Sequence, residues 1–266
     1  MSQSIFDPAV FASVSTFMGA PQSYDLTSAK AAILGVPFDC GTHAVRIGAR
    51  LGLVDCGNVR LVPSRIEDAF AAIEAAVSRI VSAGAIPLTM GGDGSVTLPQ
   101  LRALHRKHPG LVVLHIDAHT DTYPGEGKDR YNTATTFTRA AEEGVVDAAH
   151  SFHVGARGPV YLPGVFEHTR QHGYRLVPGA ELQSRGIEDV LAEIHRSLAG
   201  RKVYLCFDMD FFDPSCAPGV CTPAWGGASA RERIASFTSM AAIKGGRGRG
   251  SSSQPWLARP SARQAR

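Results

Sequence analysis

An α/β fold in three layers, α/β/α, with a mainly parallel central sheet, follows from two observations on this 266-residue chain. Short apolar runs alternate with segments of helical period for most of the length. Several of those runs are continuously apolar, as strands covered on both faces must be. Strand, helix, strand order of this kind implies parallel neighbours joined by crossover helices.

Taken in order, Ala31 to Val36 (AAILGV) is the first expected strand. Arg65 to Ala83 is the clearest helix: Ile66, Phe70, Ile73, Val77 and Val81 recur near helical spacing, Ser64 stands as N-cap and Gly84 lies just past the end. Pro87 to Met90 (PLTM) reads as a strand, Pro99 to His108 as a helix and Leu111 to Ile116 (LVVLHI) as a buried strand. Phe152 to Val154 and Tyr174 to Val177 are two further strands, Ile187 to Leu198 a helix, and Val203 to Phe207 (VYLCF) the next apolar strand. Ligands of such sheets bind beyond the C-terminal ends of the strands.

Hydrophobic residues make up 44% of the chain and charged ones 19%, enough to bury a large core, which disfavours wholesale disorder and a disulfide-stapled miniprotein. The net charge of +3 is unevenly spread. Lys244, Arg247, Arg249, Arg259, Arg263 and Arg266 lie in the last 26 residues with no acid among them, so the rest of the chain is slightly acidic. The chain therefore divides into an α/β domain over 1–240, incomplete at its C-terminal end, and a basic Gly/Ser/Arg-rich tail over 241–266 that reads as disordered. That tail is short and lacks interleaved aromatics, so no nucleic-acid partner is expected. Neither a secretory leader nor a membrane span is visible, and the expected compartment is the cytoplasm. Cys40, Cys56, Cys206, Cys216 and Cys221 show no paired zinc spacing and read as reduced, buried bystanders, Cys206 most plainly.

The chemistry concentrates at two strand ends. Asp117, His119 and Asp121 follow the strand Leu111 to Ile116, and if extended geometry continues they share one face. Asp208 and Asp210 follow Val203 to Phe207 in the same way. One such Asp is more often a helix cap or a partner for Arg. Two clusters together would repel unless something positive lay between them. Four carboxylates and one imidazole suit Mn²⁺ or Mg²⁺ better than a thiolate zinc site, and bridging carboxylates would allow two ions. His115 is expected to point to the opposite strand face and to pack in the core. Gly91 to Ser95 (GGDGS) before a helix could cradle a phosphate, but the usual Lys and glycine spacing are missing.

Four segments, PFDCGTHAVRIGARLG (Pro37 to Gly52), GGDGS, DAHTD and DMDFFDPSCAPGVCTPAWGG (Asp208 to Gly227), resemble the arginase and agmatinase (ureohydrolase) family, in its agmatinase-like branch, from about Ala31 to Glu232. The resemblance implies hydrolysis of a linear, agmatine-like guanidino compound to urea and an amine by a hydroxide bridging two Mn²⁺ ions, in a cytoplasmic homo-oligomer, a trimer or hexamer, with no membrane partner. It also implies that Asp117 and Asp208 bridge the ions, that His119 and Asp210 complete one site, and that Asp121 belongs to the other. Four departures stand out. Gly94 replaces the family's ligand His, and Thr133 replaces a His assigned to proton transfer or substrate contact. A helix-sized stretch is missing between Gly52 and Leu53, and the likeness stops soon after Glu232, short of the Glu that recognises the guanidinium. No residue is therefore assigned to proton donation or to substrate binding; Asp93 remains as a residue supporting the site from behind. A reading-frame change between about Glu232 and Lys244 is expected to explain the altered end. The alternative reading is a catalytically weak or inactive homologue that keeps a metal site for a structural or regulatory role.

Overall fold

The computed structural model describes residues 65–229 apart from Gly91, Lys128, Asp129 and Tyr161, together with Cys56, Val59, Arg60, Leu61 and the backbone of 256–261. The elements below lie within one compact unit, Arg65–Ala265. The strand at Ala31 to Val36, the PFDCGTHAVRIGARLG segment, Ser64, the Gly52–Leu53 junction and the expected frame change all fall outside the described residues.

Among the described residues five strands form one parallel sheet: β1 (Val112–Ile116), β2 (Phe152–Val154), β3 (Arg175–Val177), β4 (Val203–Asp208) and β5 (Trp256–Ser261), in the order β3-β2-β1-β4-β5. Central β1 is buried along its whole length, which is why its five residues are apolar on both faces except for His115. The helices are α1 (Ile66–Ser82), α2 (Thr97–Lys107), α3 (Thr136–Glu142), α4 (Val165–Gln171), α5 (Gly179–Arg185) and α6 (Ile187–Leu198). Three of them, α3, α4 and α5, have seven residues each, too short for the period of the apolar positions to stand out in the sequence.

Side-chain alternation divides the core in two. On one face Val113, Tyr204 and Cys206 meet Phe70, Ile73, Val77 and Val81 of α1, Leu101 and Leu104 of α2, and Phe137 of α3. On the other, Val112, Leu114, Ile116, Val203 and Phe207 meet Val190, Leu191, Ile194 and Leu198 of α6. Each fully buried aliphatic or aromatic side chain contributes about 1.5–3 kcal/mol of transfer free energy. The two faces together make the α/β/α arrangement.

Several local expectations are corrected. Arg65 occupies the N-cap of α1 and offers no capping hydrogen bond; its Nε instead pairs with Asp68 Oδ2 at 2.6 Å, so acids in the first turn meet the helix dipole without a cap. Pro87 to Met90 is not a strand: Leu88 makes a single bridge, and with Leu88 and Met90 exposed the run lacks the cover on both faces that an inner strand needs. Cys206 is buried as expected, whereas Cys56, Cys216 and Cys221 are exposed. In the tail, Trp256–Ser261 pairs in parallel with all six residues of β4 instead of staying without structure. The hydrogen-bonding edge of β4 offers a ladder to an extended segment, and Pro260, lacking an N–H, is tolerated there because β5 is the outermost of the described strands.

Candidate metal centre

Register brings the two acidic clusters side by side. Parallel pairing of β1 with β4 runs to Ile116 opposite Phe207, so the next residues, Asp117 and Asp208, leave adjacent strand ends on the same face. Beyond Ile116 the backbone bends and no longer extends. His119 N donates to Asp117 Oδ1 at 2.7 Å, and Asp121 takes a left-handed φ of 46°, a conformation that a short polar side chain tolerates. Convergence of Asp117 with Asp121 therefore comes from a tight loop and not from strand alternation. The neighbouring chain must yield to that loop. A Cβ at Gly155, where φ is 105°, would meet the Asp117 carbonyl at 2.9 Å and drive into the Phe211 ring, so only glycine fits.

Two trios of donors result. The donor atoms of Asp117, His119 and Asp210 lie within 4.8 Å of one another, and those of His115, Asp117 and Asp121 do so as well. His119 Nδ1 is 3.1 Å from Asp210 Oδ2 and 3.3 Å from Asp117 Oδ1. Asp210 is held by Ala118 N at 3.1 Å on one oxygen and by Thr222 Oγ1 at 3.2 Å on the other. Asp208 stands at the end of β4 and caps the following turn, accepting from Asp210 N at 3.1 Å; it is in neither trio. All five predicted ligands thus gather at the sheet's C-terminal end, four of them in the trios.

His115 corrects the sequence reading. Lying two residues before Asp117, it shares that residue's strand face, and counting by two would have found it. It is buried, and its Nε2 donates to Asp117 Oδ2 at 2.9 Å. Its Nδ1 meets His153 Nδ1 at 2.9 Å, and both rings pack on Phe137. Arg157 was also invisible in the sequence. Its half-buried guanidinium donates to the carbonyls of Asp210 at 2.8 Å, Ala224 at 2.9 Å and Trp225 at 3.2 Å, pinning the loop that follows β4.

The electrostatics are those of a cluster short of positive charge. Burial, reinforced by Asp210 and Asp208, pushes the Asp117 carboxyl well above the usual range, with His119 opposing. Asp121 is raised in the same way by burial and by Asp117. Burial works against a charged His119, yet its hydrogen bonds to Asp117 and Asp210 win and push it up to about 11. Asp210 is lowered: burial raises it, but the His119 bond and charge outweigh that. A divalent cation among these oxygens would relieve the repulsion, and the donor set of carboxylates with imidazole fits Mn²⁺ or Mg²⁺.

The two replaced positions meet each other. Gly94 N donates to Thr133 Oγ1 at 2.8 Å, and a Cβ at Gly94 would stand 2.6 Å from that oxygen and 2.7 Å from Asp121 Oδ2. Asp93 accepts from Ser95 N at 2.9 Å and caps the turn, which gives it a structural task.

An arginase family profile matches residues 49–246, three quarters of the sequence and 14 residues past the point where the motif likeness ends. The chain belongs to the arginase family. Within it, this arginase-family chain is 33% identical to the guanidinobutyrase of Pseudomonas aeruginosa over 247 residues, 82% of this chain and 77% of that one. It is 38% identical to the agmatinase of Proteus mirabilis over 179 residues, which are 67% of this chain and 55% of the agmatinase. Among solved structures, the proclavaminate amidinohydrolase of Streptomyces clavuligerus superimposes with a TM-score of 0.71 at 30% identity, covering 80% of this chain and 67% of that one. The parallel α/β sheet is thus the arginase-family fold.

Proposed function

We propose that this arginase-family chain hydrolyses a linear, agmatine-like guanidino compound to urea and an amine at a divalent centre, Mn²⁺ by preference, held by Asp117, His119, Asp121, Asp208 and Asp210. The observation that carries the reading is the Asp117–His119–Asp210 trio, an imidazole and two carboxylates converging at the C-terminal end of a parallel sheet. When bound, such a cation supplies acidified water as nucleophile near neutral pH. The chain's own residues do the rest. Asp117, common to both trios, is oriented on one oxygen by His115 and on the other by the His119 backbone, and so presents a fixed pair of acceptors. Asp210 is fixed in turn by Ala118 N and Thr222, and Arg157 holds the loop behind it. Thr133 cannot act as a base near neutral pH and is engaged with Gly94 N. We assign 1–240 to the hydrolase domain and 241–266 to its basic tail, in which 256–261 pairs with β4, and the working form is a homo-oligomer.

The guanidinobutyrase and agmatinase likenesses support the guanidino class. Agmatine is favoured on the DAHTD and DMDFFDPSC segments. The test is metal content measured with urea release on one preparation of the full chain, offered agmatine, 4-guanidinobutyrate, 3-guanidinopropionate and arginine in turn. Urea from agmatine first, with Mn²⁺ bound, is the expected result. The packing of Thr133 and Asp121 against Gly94 favours a second reading, a weak or inactive homologue that keeps one ion. Urea from no compound, with about one ion bound per chain, would decide for it.

A further inference from the structure

We infer that His168 of α4 and His172 at the C-cap of that helix form a second cation site, one that takes a borderline transition-metal ion such as Zn²⁺, Ni²⁺ or Cu²⁺. The pair lies outside the acidic centre, and the inference stands whether or not that centre hydrolyses guanidines.

Spacing places both rings on one side of the helix, since residues four apart are neighbours on its surface. The two Nε2 atoms face each other at 3.4 Å, with ring centroids 4.5 Å apart and ring planes at 68°. That separation is long for an N–H···N hydrogen bond, whose usual length is about 2.9–3.0 Å. It matches the bite of a tetrahedral ion: two nitrogens at about 2.0–2.1 Å from one metal stand roughly 3.4 Å apart.

Orientation favours the lone pairs. His168 Nδ1 is 2.8 Å from the carbonyl oxygen of Thr122, which can only accept, so Nδ1 carries the proton and Nε2 of the neutral ring is left as a donor of its lone pair to a metal. A backbone carbonyl holding the remote nitrogen is the usual way a metal-ligating imidazole is aimed. His172 is less basic than an ordinary histidine, chiefly through burial and then through its histidine neighbour. Both residues are half-buried, reachable by a small ion yet sheltered from free rotation. Of the charged groups acting on His172, the Glu142 carboxylate favours a cation and Arg139 opposes it, and these two are paired with each other at 2.7 Å.

A pair of imidazole nitrogens sets the preference. Imidazole suits Zn²⁺, Cu²⁺ and Ni²⁺, whereas Mn²⁺ and Mg²⁺ go to the oxygen-rich cluster at Asp117 and Asp210. The two sites differ in ligand softness and would be filled by different ions. They are joined by one bond, because Thr122, whose carbonyl anchors His168, follows Asp121 directly.

The experiment uses the full chain pre-loaded with Mn²⁺, dialysed against Zn²⁺ and counted by elemental analysis, beside the variants His172→Gln and His168→Gln. Wild type should take up one Zn²⁺ per chain more than His172→Gln, whose affinity for that ion should fall at least tenfold while circular dichroism stays that of the wild type. Zn²⁺ displacing Mn²⁺ at the acidic cluster would do so equally in both proteins and cancels. His168→Gln also loses the Thr122 bond, so His172→Gln is the discriminating variant and His168→Gln should match its loss. Equal Zn²⁺ uptake by wild type and His172→Gln would overturn the site. So would Co²⁺ spectra with a near-ultraviolet thiolate band in place of nitrogen-type d–d bands, since that band would assign the ion to a cysteine.

Discussion

The two sides of the acidic cluster are built to different standards. On the Asp210 side, His119 reaches two carboxylates, and each of those is held in place by backbone or hydroxyl donors. On the Asp121 side, the imidazole is His115, which comes from within the sheet and already donates to Asp117, while the opposite wall is glycine backbone bonded to Thr133. On the first side the donors are aimed at one another by their partners; on the second a Cβ at Gly94 would crowd Thr133 and Asp121. A dimetal site can thus lose symmetry without losing its acidic residues, because affinity depends on which donors are aimed and not only on how many are present.

The largest expected effect tests what the two sides share. Replacing Asp117 by Asn removes a donor from both trios, and Mn²⁺ affinity should fall more than about 100-fold, with urea release lost, as read by elemental analysis and a urea assay. Asp208→Asn should cost more bound metal than Asp121→Asn; equal losses would contradict a bridging Asp208.

Asymmetry itself is tested next. At limiting Mn²⁺, His119→Ala should keep little metal, having lost the tighter ion, whereas Asp121→Asn should keep about one ion per chain with affinity reduced by roughly tenfold. If both variants lose the same amount of metal, the two sides are equivalent and the comparison fails.

Packing on the closed side gives a smaller effect. Gly94→Ala places a methyl against Thr133 Oγ1 and Asp121 Oδ2, an overlap worth about 1–3 kcal/mol of stability, and Thr133→Gly in the same chain should recover part of it. Thermal melting of the single and double variants measures this. A neutral Gly94→Ala would mean that Asp121 moves freely and that the wall is soft.

The smallest effect lies away from the cluster and supplies its baseline. Burial of Asp147 disfavours its charged form, but its contacts with His150 and Arg201 outweigh that and hold its carboxyl below the usual value. Its contribution is therefore present at neutral pH and is lost as pH falls below about 4, through the unfolded value and then the folded one. Because the pair is partly solvated, Asp147→Asn should cost less than about 1 kcal/mol at pH 7 and progressively less as the pH falls below about 4, read by denaturant unfolding across that range.

Much of this was legible beforehand. The apolar runs at Val112–Ile116 and Val203–Asp208, and the helices at Ile66–Ser82 and Ile187–Leu198, fall within a residue or two of their expected bounds because a period of 2 or 3.6 is a local property. The seven-residue helices were not legible, since two turns are too few for a period, and the strand at Trp256–Ser261 was hidden in a composition that otherwise reads as disordered. Within the cluster, Asp117, His119, Asp121, Asp208 and Asp210 stood out by type and place. His115 was misread by a miscount of strand alternation, and Arg157 carries no local signal because its partners in the loop after β4 lie more than 50 residues away.

The chain's own order of residues determined which side chains leave the ends of the two inner strands and which helices cover them, since the face of an element is set by its own backbone geometry. Tertiary structure alone decided that Asp117 is shared between two imidazoles, that Gly94 and Thr133 close one wall, that Arg157 fastens the loop after β4, and that His168 and His172 face each other beside the loop carrying Asp121. Distances between donors on different elements depend on how the sheet and its loops pack, and no period within one element contains them.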